Sequence, residues 1–121
     1  MYRVLLTFLM LICFSASAFC GEYEKAIKEN NKLLVYFYAP KCTYCVKFAQ
    51  IYELLEKNYN NKCKFLKIDI TTDYGKSLIQ EFNVYYVPYV FLLNNEKRLL
   101  QKFDSKCLLN YSCMKDAIEK F

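Results

Sequence analysis

The stretch "KLLVYFYA", residues 32–39, limits the possible folds more than any other part of the chain. Seven of its eight residues are apolar or aromatic, with no polar alternation to leave one face wet. A run this short and this apolar suits a strand covered on both faces, so the chain must supply layers above and below a sheet. Immediately after it comes "PKCTYC", in which Cys42 and Cys45 lie three positions apart and lead into a helical pattern. That pair can be a working dithiol, half of a metal site, or a static crosslink.

The chain has 121 residues, 55% of them hydrophobic and 18% aromatic, enough for one well-filled domain. It contains no His and no Trp. Imidazole is thereby excluded as metal ligand, general base or partner of a cysteine nucleophile. With one C-x-x-C and no His, a zinc site lacks its third and fourth ligands, so no metal is expected.

Residues 1–18 have the order of a secretory leader: "MYR" with one positive charge, the apolar "VLLTFLMLICF", then "SASA" with small residues at cleavage spacing. Cleavage is expected after Ala18, with a second position after Cys20. The apolar run is short for a membrane span, which needs roughly 20 residues, so no stable insertion is expected once the leader is removed. The domain then occupies residues 19–121, and losing Arg3 lowers the formal charge from +5 to +4. The lysines are scattered rather than blocked, which speaks against a nucleic-acid partner. Export also changes the meaning of the seven cysteines, because thiols in an oxidising compartment tend to pair.

Beyond the leader the pattern predicts a short helix over 22–31, the strand 32–39, and a helix from Cys42 to about Tyr59 with Phe48, Ala49, Tyr52, Leu55 and Tyr59 as its stripe. A second strand follows over 63–69, then a helix in 71–82 with Thr and Asp as caps. "YVFLLNNEKRLLQKF" predicts a hairpin turning at Asn94 and Asn95, residues that tolerate left-handed backbone. A last helix covers roughly 110–120. Strands separated by helices argue for parallel pairing, and the hairpin adds an antiparallel edge.

This order puts Cys42 where a buried strand ends and a helix begins. Free N–H groups and the positive end of the helix dipole face a sulfur there and favour its thiolate; Lys41 adds a favourable charge. Cys45, one turn on, reaches the same sulfur from a deeper position and can resolve a mixed disulfide. Val87-Pro88 opens the third strand, where a residue without an N–H is tolerated and a cis bond is accessible. Cys107 and Cys113 are six residues apart and pair only if a loop such as "LLNY" breaks the helix between them. Cys63 is expected as a buried thiol.

"VYFYAPKCTYC", "FLKIDITTD" and "FNVYYVPYVFLLNNEKRL" together resemble a thioredoxin-fold domain, the first stretch being close to the catalytic domains of protein disulfide isomerases. The similarity runs from about Glu22 to Phe121. It implies an α/β fold with a central four-stranded mixed sheet flanked by helices, Cys42 as nucleophile, Cys45 as resolving residue, and a cis Pro88 that, with Val87, contacts substrate. It also implies thiol–disulfide exchange with cysteine-containing proteins, an upstream membrane-bound thiol–disulfide partner, and no cofactor, because the sulfurs carry the electrons. Three positions depart from the family pattern. Lys41 stands where Trp is usual, Val46 where a basic residue often follows, and Tyr36 where a buried acid relays a proton. Lys41, Thr43, Tyr44 and Tyr36 are therefore expected to modulate the dithiol. An exported protein-disulfide oxidoreductase is the leading expectation, in a periplasm first, with secretion or an ER lumen next; "IEKF" at the end is not an ER-retention tetrapeptide. The competing expectation is a non-catalytic binding module with a permanent Cys42–Cys45 bridge, holding its partner around Val87 and Tyr89.

Overall fold

The computed structural model describes residues 21–121. The leader expected over residues 1–18, both cleavage positions and the cysteines at 13 and 20 lie outside those residues. The element order is α1 Glu22–Glu29, β1 Lys32–Tyr38, α2 Thr43–Tyr59, β2 Lys64–Asp69, α3 Asp73–Phe82, β3 Tyr89–Asn94, β4 Leu99–Lys102, α4 Ser105–Leu108 and α5 Tyr111–Lys120. The strands form one mixed sheet in the order β2-β1-β3-β4. Among the described residues no helix is long and apolar enough to cross a membrane.

The apolar run makes β1 the interior strand, with Leu33 to Phe37 at most 1% exposed. Its side chains alternate between two cores. Leu34 and Tyr36 face Phe48, Tyr52, Leu55, Met114 and Ile118 of α2 and α5. Leu33, Val35 and Phe37 face Tyr23 and Ile27 of α1 and Leu78 of α3. Each such side chain contributes about 1.5–3 kcal/mol by leaving water. The α2 stripe holds as expected except at Ala49, which is only half-buried.

β1 pairs with β2 in parallel, but β3 runs antiparallel to β1 as well as to β4. This corrects the parallel pairing expected for every helix-separated strand. The chain leaves β2 at Asp69, level with Tyr38, and re-enters the sheet at Tyr89, level with Phe37. α3, about 15 Å long for its ten residues, is followed by residues 83–88, which return the chain to the end it left. A parallel β3 would have put Pro88 at the far end of the sheet from Cys42. Antiparallel entry puts them together.

Two local expectations also change. The hairpin turns through Lys97, at φ 62°, and not through left-handed Asn94 or Asn95. Asn94 works through its side chain, whose Oδ1 accepts from the N–H groups of Glu96 and Arg98 (3.0 and 2.9 Å), while its carbonyl accepts from Lys97 (3.1 Å). That is a tight turn followed by a single left-handed residue, the three-residue hairpin form. Secondly, the loop expected at "LLNY" is shorter, because Leu108 ends a one-turn helix, α4, capped by Asp104, and Tyr111 already begins α5. The break that lets Cys107 meet Cys113 is confined to Leu109 and Asn110, and the two cysteines are joined in a disulfide across 5.3 Å between Cα atoms.

Candidate active site

The turn after β1 is drawn tight by the Cys42 N–H donating to the Ala39 carbonyl (3.2 Å), and Cys42 becomes the N-cap of α2. Its φ of −80° and ψ of 118° are extended, and its sulfur accepts from the Cys45 N–H at 3.2 Å. A cap is ordinarily an oxygen. Here sulfur takes that place, at the positive end of a 17-residue helix. Cys42 is half-buried and Cys45 is 3% exposed, and both are free thiols. Burial, and then the hydrogen bond with Cys42, push the Cys45 thiol up to about 11. Cys45 is therefore held protonated at neutral pH behind a more accessible sulfur.

Tyr36 lies under this pair from the middle of β1, 1% exposed. Its O–H donates to the Cys45 carbonyl at 3.2 Å, and its ring packs on Phe48 and Tyr52 at 4.8 and 5.2 Å between centroids. Burial, reinforced by the cysteines, raises its own pKa far above the ordinary phenol value. At this position the phenol can donate a hydrogen bond but cannot take a proton near pH 7.

The third side of the site comes from the entry to β3. Val87-Pro88 is a cis peptide, and the Cys42 thiol points at the Val87 carbonyl, 3.8 Å away. Val87 precedes the first paired residue of β3, so its backbone lies outside the ladder. Asp69 stays clear of the sulfurs and builds the β2–α3 turn. Its Oδ1 accepts from the Thr71 N–H and Oγ1 (2.8 and 2.7 Å), which hold its carboxyl below the usual range. Thr72 then caps α3 through the Gly75 N–H at 2.9 Å.

Of the residues singled out from sequence, Cys42, Cys45, Tyr36, Val87 and Pro88 converge on one point. Lys41, Thr43 and Tyr44 sit exposed on the rim. Tyr44 also walls a cavity of about 430 Å³ that runs from Val87 and Pro88 to Phe103, Lys106 and Leu109. The cavity was not anticipated. The signal available for it was "VYYVP", an aromatic pair at the chain's second proline, where Tyr85 and Tyr86 prove 86% and 53% exposed. Cys63 is a buried free thiol one residue before β2. Among the described residues no group of His, Cys, Asp or Glu could hold a metal ion.

A family model described as Thioredoxin matches residues 10–112. This chain belongs to the thioredoxin family. Thioredoxin 1 of Plasmodium falciparum is 28% identical over 101 residues, 84% of this chain and 90% of that one. Thioredoxin 2 of the same organism is 31% identical over 74 residues, 61% of this chain and 46% of its own length. A protein disulfide-isomerase of Datisca glomerata is 29% identical over 86 residues, 69% of this chain but 17% of that protein. The chain thus spans less than half the length of the latter two relatives. Among solved structures, the oxidised thioredoxin from Plasmodium falciparum matches with a TM-score of 0.66 at 27% identity, over 82% of this chain and 88% of that one. Mitochondrial thioredoxin 3 of Saccharomyces cerevisiae matches with a TM-score of 0.66 at 25% identity, over 83% and 88%. The fold of this chain is the thioredoxin fold, built on a four-stranded mixed sheet.

Proposed function

We propose that this thioredoxin-family chain is a thiol–disulfide oxidoreductase acting on cysteine-containing proteins, with Cys42 as nucleophile and Cys45 as resolving residue. The observation that carries it is the graded burial of two free thiols at the start of α2: a half-buried sulfur taking the Cys45 N–H, and a 3%-exposed sulfur one turn behind. In the reducing direction the Cys42 thiolate attacks a substrate disulfide, forming a mixed disulfide and releasing one substrate thiolate. Cys45 loses its proton and attacks the Cys42 sulfur, releasing the second substrate thiolate. Two electrons pass to the substrate, whose sulfurs become thiols, and the protein is left with a Cys42–Cys45 disulfide. The same steps run backwards for oxidation. Val87, beside the Cys42 sulfur and free of the ladder, offers its backbone to an extended substrate strand.

Trapping tests this directly. A Cys45→Ser variant, unable to resolve, is expected to accumulate covalent adducts that a reductant releases; a Cys42→Ser variant is expected to form none. Equal adducts in both variants, or none in either, would contradict the assignment.

The reading includes export, with residues 1–18 as leader, into a periplasm first among oxidising compartments, and an upstream membrane-bound thiol–disulfide partner. The support is the sequence order of charge, apolar run and small residues. Amino-terminal sequencing of the protein recovered from cells is expected to begin at Phe19; recovery of a cytosolic chain still beginning at Met1 would exclude it. A non-catalytic binding module draws support from Tyr36, a phenol that cannot act as the base for Cys45 near pH 7, and from Lys41 where the family pattern has Trp.

A further inference from the structure

We infer that the cavity beside the dithiol selects acidic segments: its occupant is an extended peptide carrying an apolar side chain and one or more carboxylates close to the reacting cysteine. The inference rests on the proposed exchange at Cys42 and names the class of substrate that exchange prefers.

The cavity opens where substrate must lie, because Val87 and Pro88 form one wall and the Val87 carbonyl faces the Cys42 sulfur. Its lining is mainly apolar or aromatic, with Tyr44, Tyr86, Phe103, Leu108 and Leu109 taking part. Three of these are large side chains left in water: Tyr44 at 56%, Tyr86 at 53% and Leu109 at 42%. Covering them gives a peptide's apolar side chain a place to bind.

The charges that line this surface or lie over its aromatic rings are positive. Lys106 lines the cavity itself. Lys102 lies over the rings of Tyr86 and Tyr89, its Nζ 5.4 and 4.7 Å from their centroids. Lys47 lies over Tyr44 at 5.4 Å. Two of the exposed aromatic walls therefore carry a cation on their faces. No carboxylate lines the cavity. The neighbouring acid, Asp104, turns its Oδ1 to the Cys107 N–H at 2.8 Å as the cap of α4. Nothing in the lining neutralises the three ammonium groups, so a carboxylate arriving there gains attraction, whereas a lysine or arginine side chain meets like charge.

Three disulfide-linked peptide dimers test this, identical except that a leucine beside the cysteine is flanked by glutamates, by serines or by lysines. The rate at which the reduced full-length protein reduces each is measured at about 0.01 M and about 1 M salt, where the Debye length is roughly 30 and 3 Å. The glutamate peptide is expected to react at least about tenfold faster than the lysine peptide at low salt, with most of the gap lost at high salt. Charge reversal by Lys102→Glu with Lys106→Glu is expected to invert that order within one protein. Lys106→Glu alone, which leaves the Tyr86–Lys102–Tyr89 stack intact, is expected to narrow the gap. Equal rates for the three peptides, or an acidic preference that survives charge reversal, would overturn the inference. A small uncharged disulfide, tested on the wild-type protein, separates this from failure of the proposed function. If it reacts while the peptides are not discriminated, only the selectivity is lost; if nothing reacts, both are.

Discussion

A phenol occupies the position under Cys45 where the family resemblance expects a buried carboxylate, and in the proposed exchange it bears on the second half of the reaction. The Cys45 thiol, pushed up to about 11 by burial and by Cys42, must lose a proton before it can attack. Tyr36, itself raised far above an ordinary phenol, cannot accept that proton near neutrality. Resolution of the mixed disulfide is therefore expected to be the slow step. A Tyr36→Asp variant places a base within reach and is expected to speed resolution by about a hundredfold at pH 7, the low end for positioned proton transfer. Stopped-flow measurement of mixed-disulfide decay reads this, and an unchanged or slower rate would show that the proton leaves by another route. Tyr36 illustrates how far residues alone can be read. Its burial follows from its place in an apolar strand, and its mismatch with a proton-relay role is visible in its chemistry. Its hydrogen bond to the Cys45 carbonyl is not, because that contact depends on how α2 lies over β1.

At the scale of elements, two short segments hold the site in place. α3 meets the end of β2 so closely that a Cβ on Gly75 would lie 1.9 Å from the Asp69 carbonyl oxygen. The obstacle is backbone on both sides, so Gly75→Ala is expected to cost about 3 kcal/mol in denaturant unfolding, the upper part of the range for overpacking. A loss under about 0.5 kcal/mol, as for an ordinary surface change, would mean that α3 can back away. The Cys107–Cys113 disulfide ties α4 to α5, and α4 supplies Lys106 and Leu108 to the cavity wall. Replacing both cysteines by Ala is expected to lower stability by about 2 kcal/mol, the entropy of so small a loop. Faster amide exchange confined to α4 and the start of α5 should accompany it; unchanged exchange there would contradict the tie. Most of these elements were legible in the sequence, because β1, α2 and α5 carry strong periodic or continuous apolar patterns. α4 was not, since a single turn has no period to detect and is fixed by the Asp104 cap and the disulfide. The direction of β3 was hidden for a related reason. Strand direction depends on where residues 83–88 bring the chain back, which hydrophobic patterning does not encode.

For the whole molecule, the buried thiols make stability depend on redox state in alkaline solution. Cys45 and Cys63 are each raised to about 11, burial being the leading cause in both. In the unfolded chain a thiol ionises near pH 8.5–9. The contribution of these groups is therefore fully present below about pH 9 and is lost as pH rises through the folded values near 11. Reduced protein is expected to lose more stability between pH 8 and pH 10.5 than protein with Cys42 and Cys45 joined, in which, of these two thiols, Cys63 alone still titrates; thermal unfolding of both forms across about that range measures it. Identical losses would mean that Cys45 is not held as a thiol. The central claim is that Cys42 and Cys45 interconvert between dithiol and disulfide in use, and the reduction potential of the pair tests it most directly. Equilibration against glutathione or dithiothreitol is expected to give a value between roughly −270 and −120 mV, the span of working thiol–disulfide proteins. A value below about −300 mV would mark a structural bridge and contradict the account.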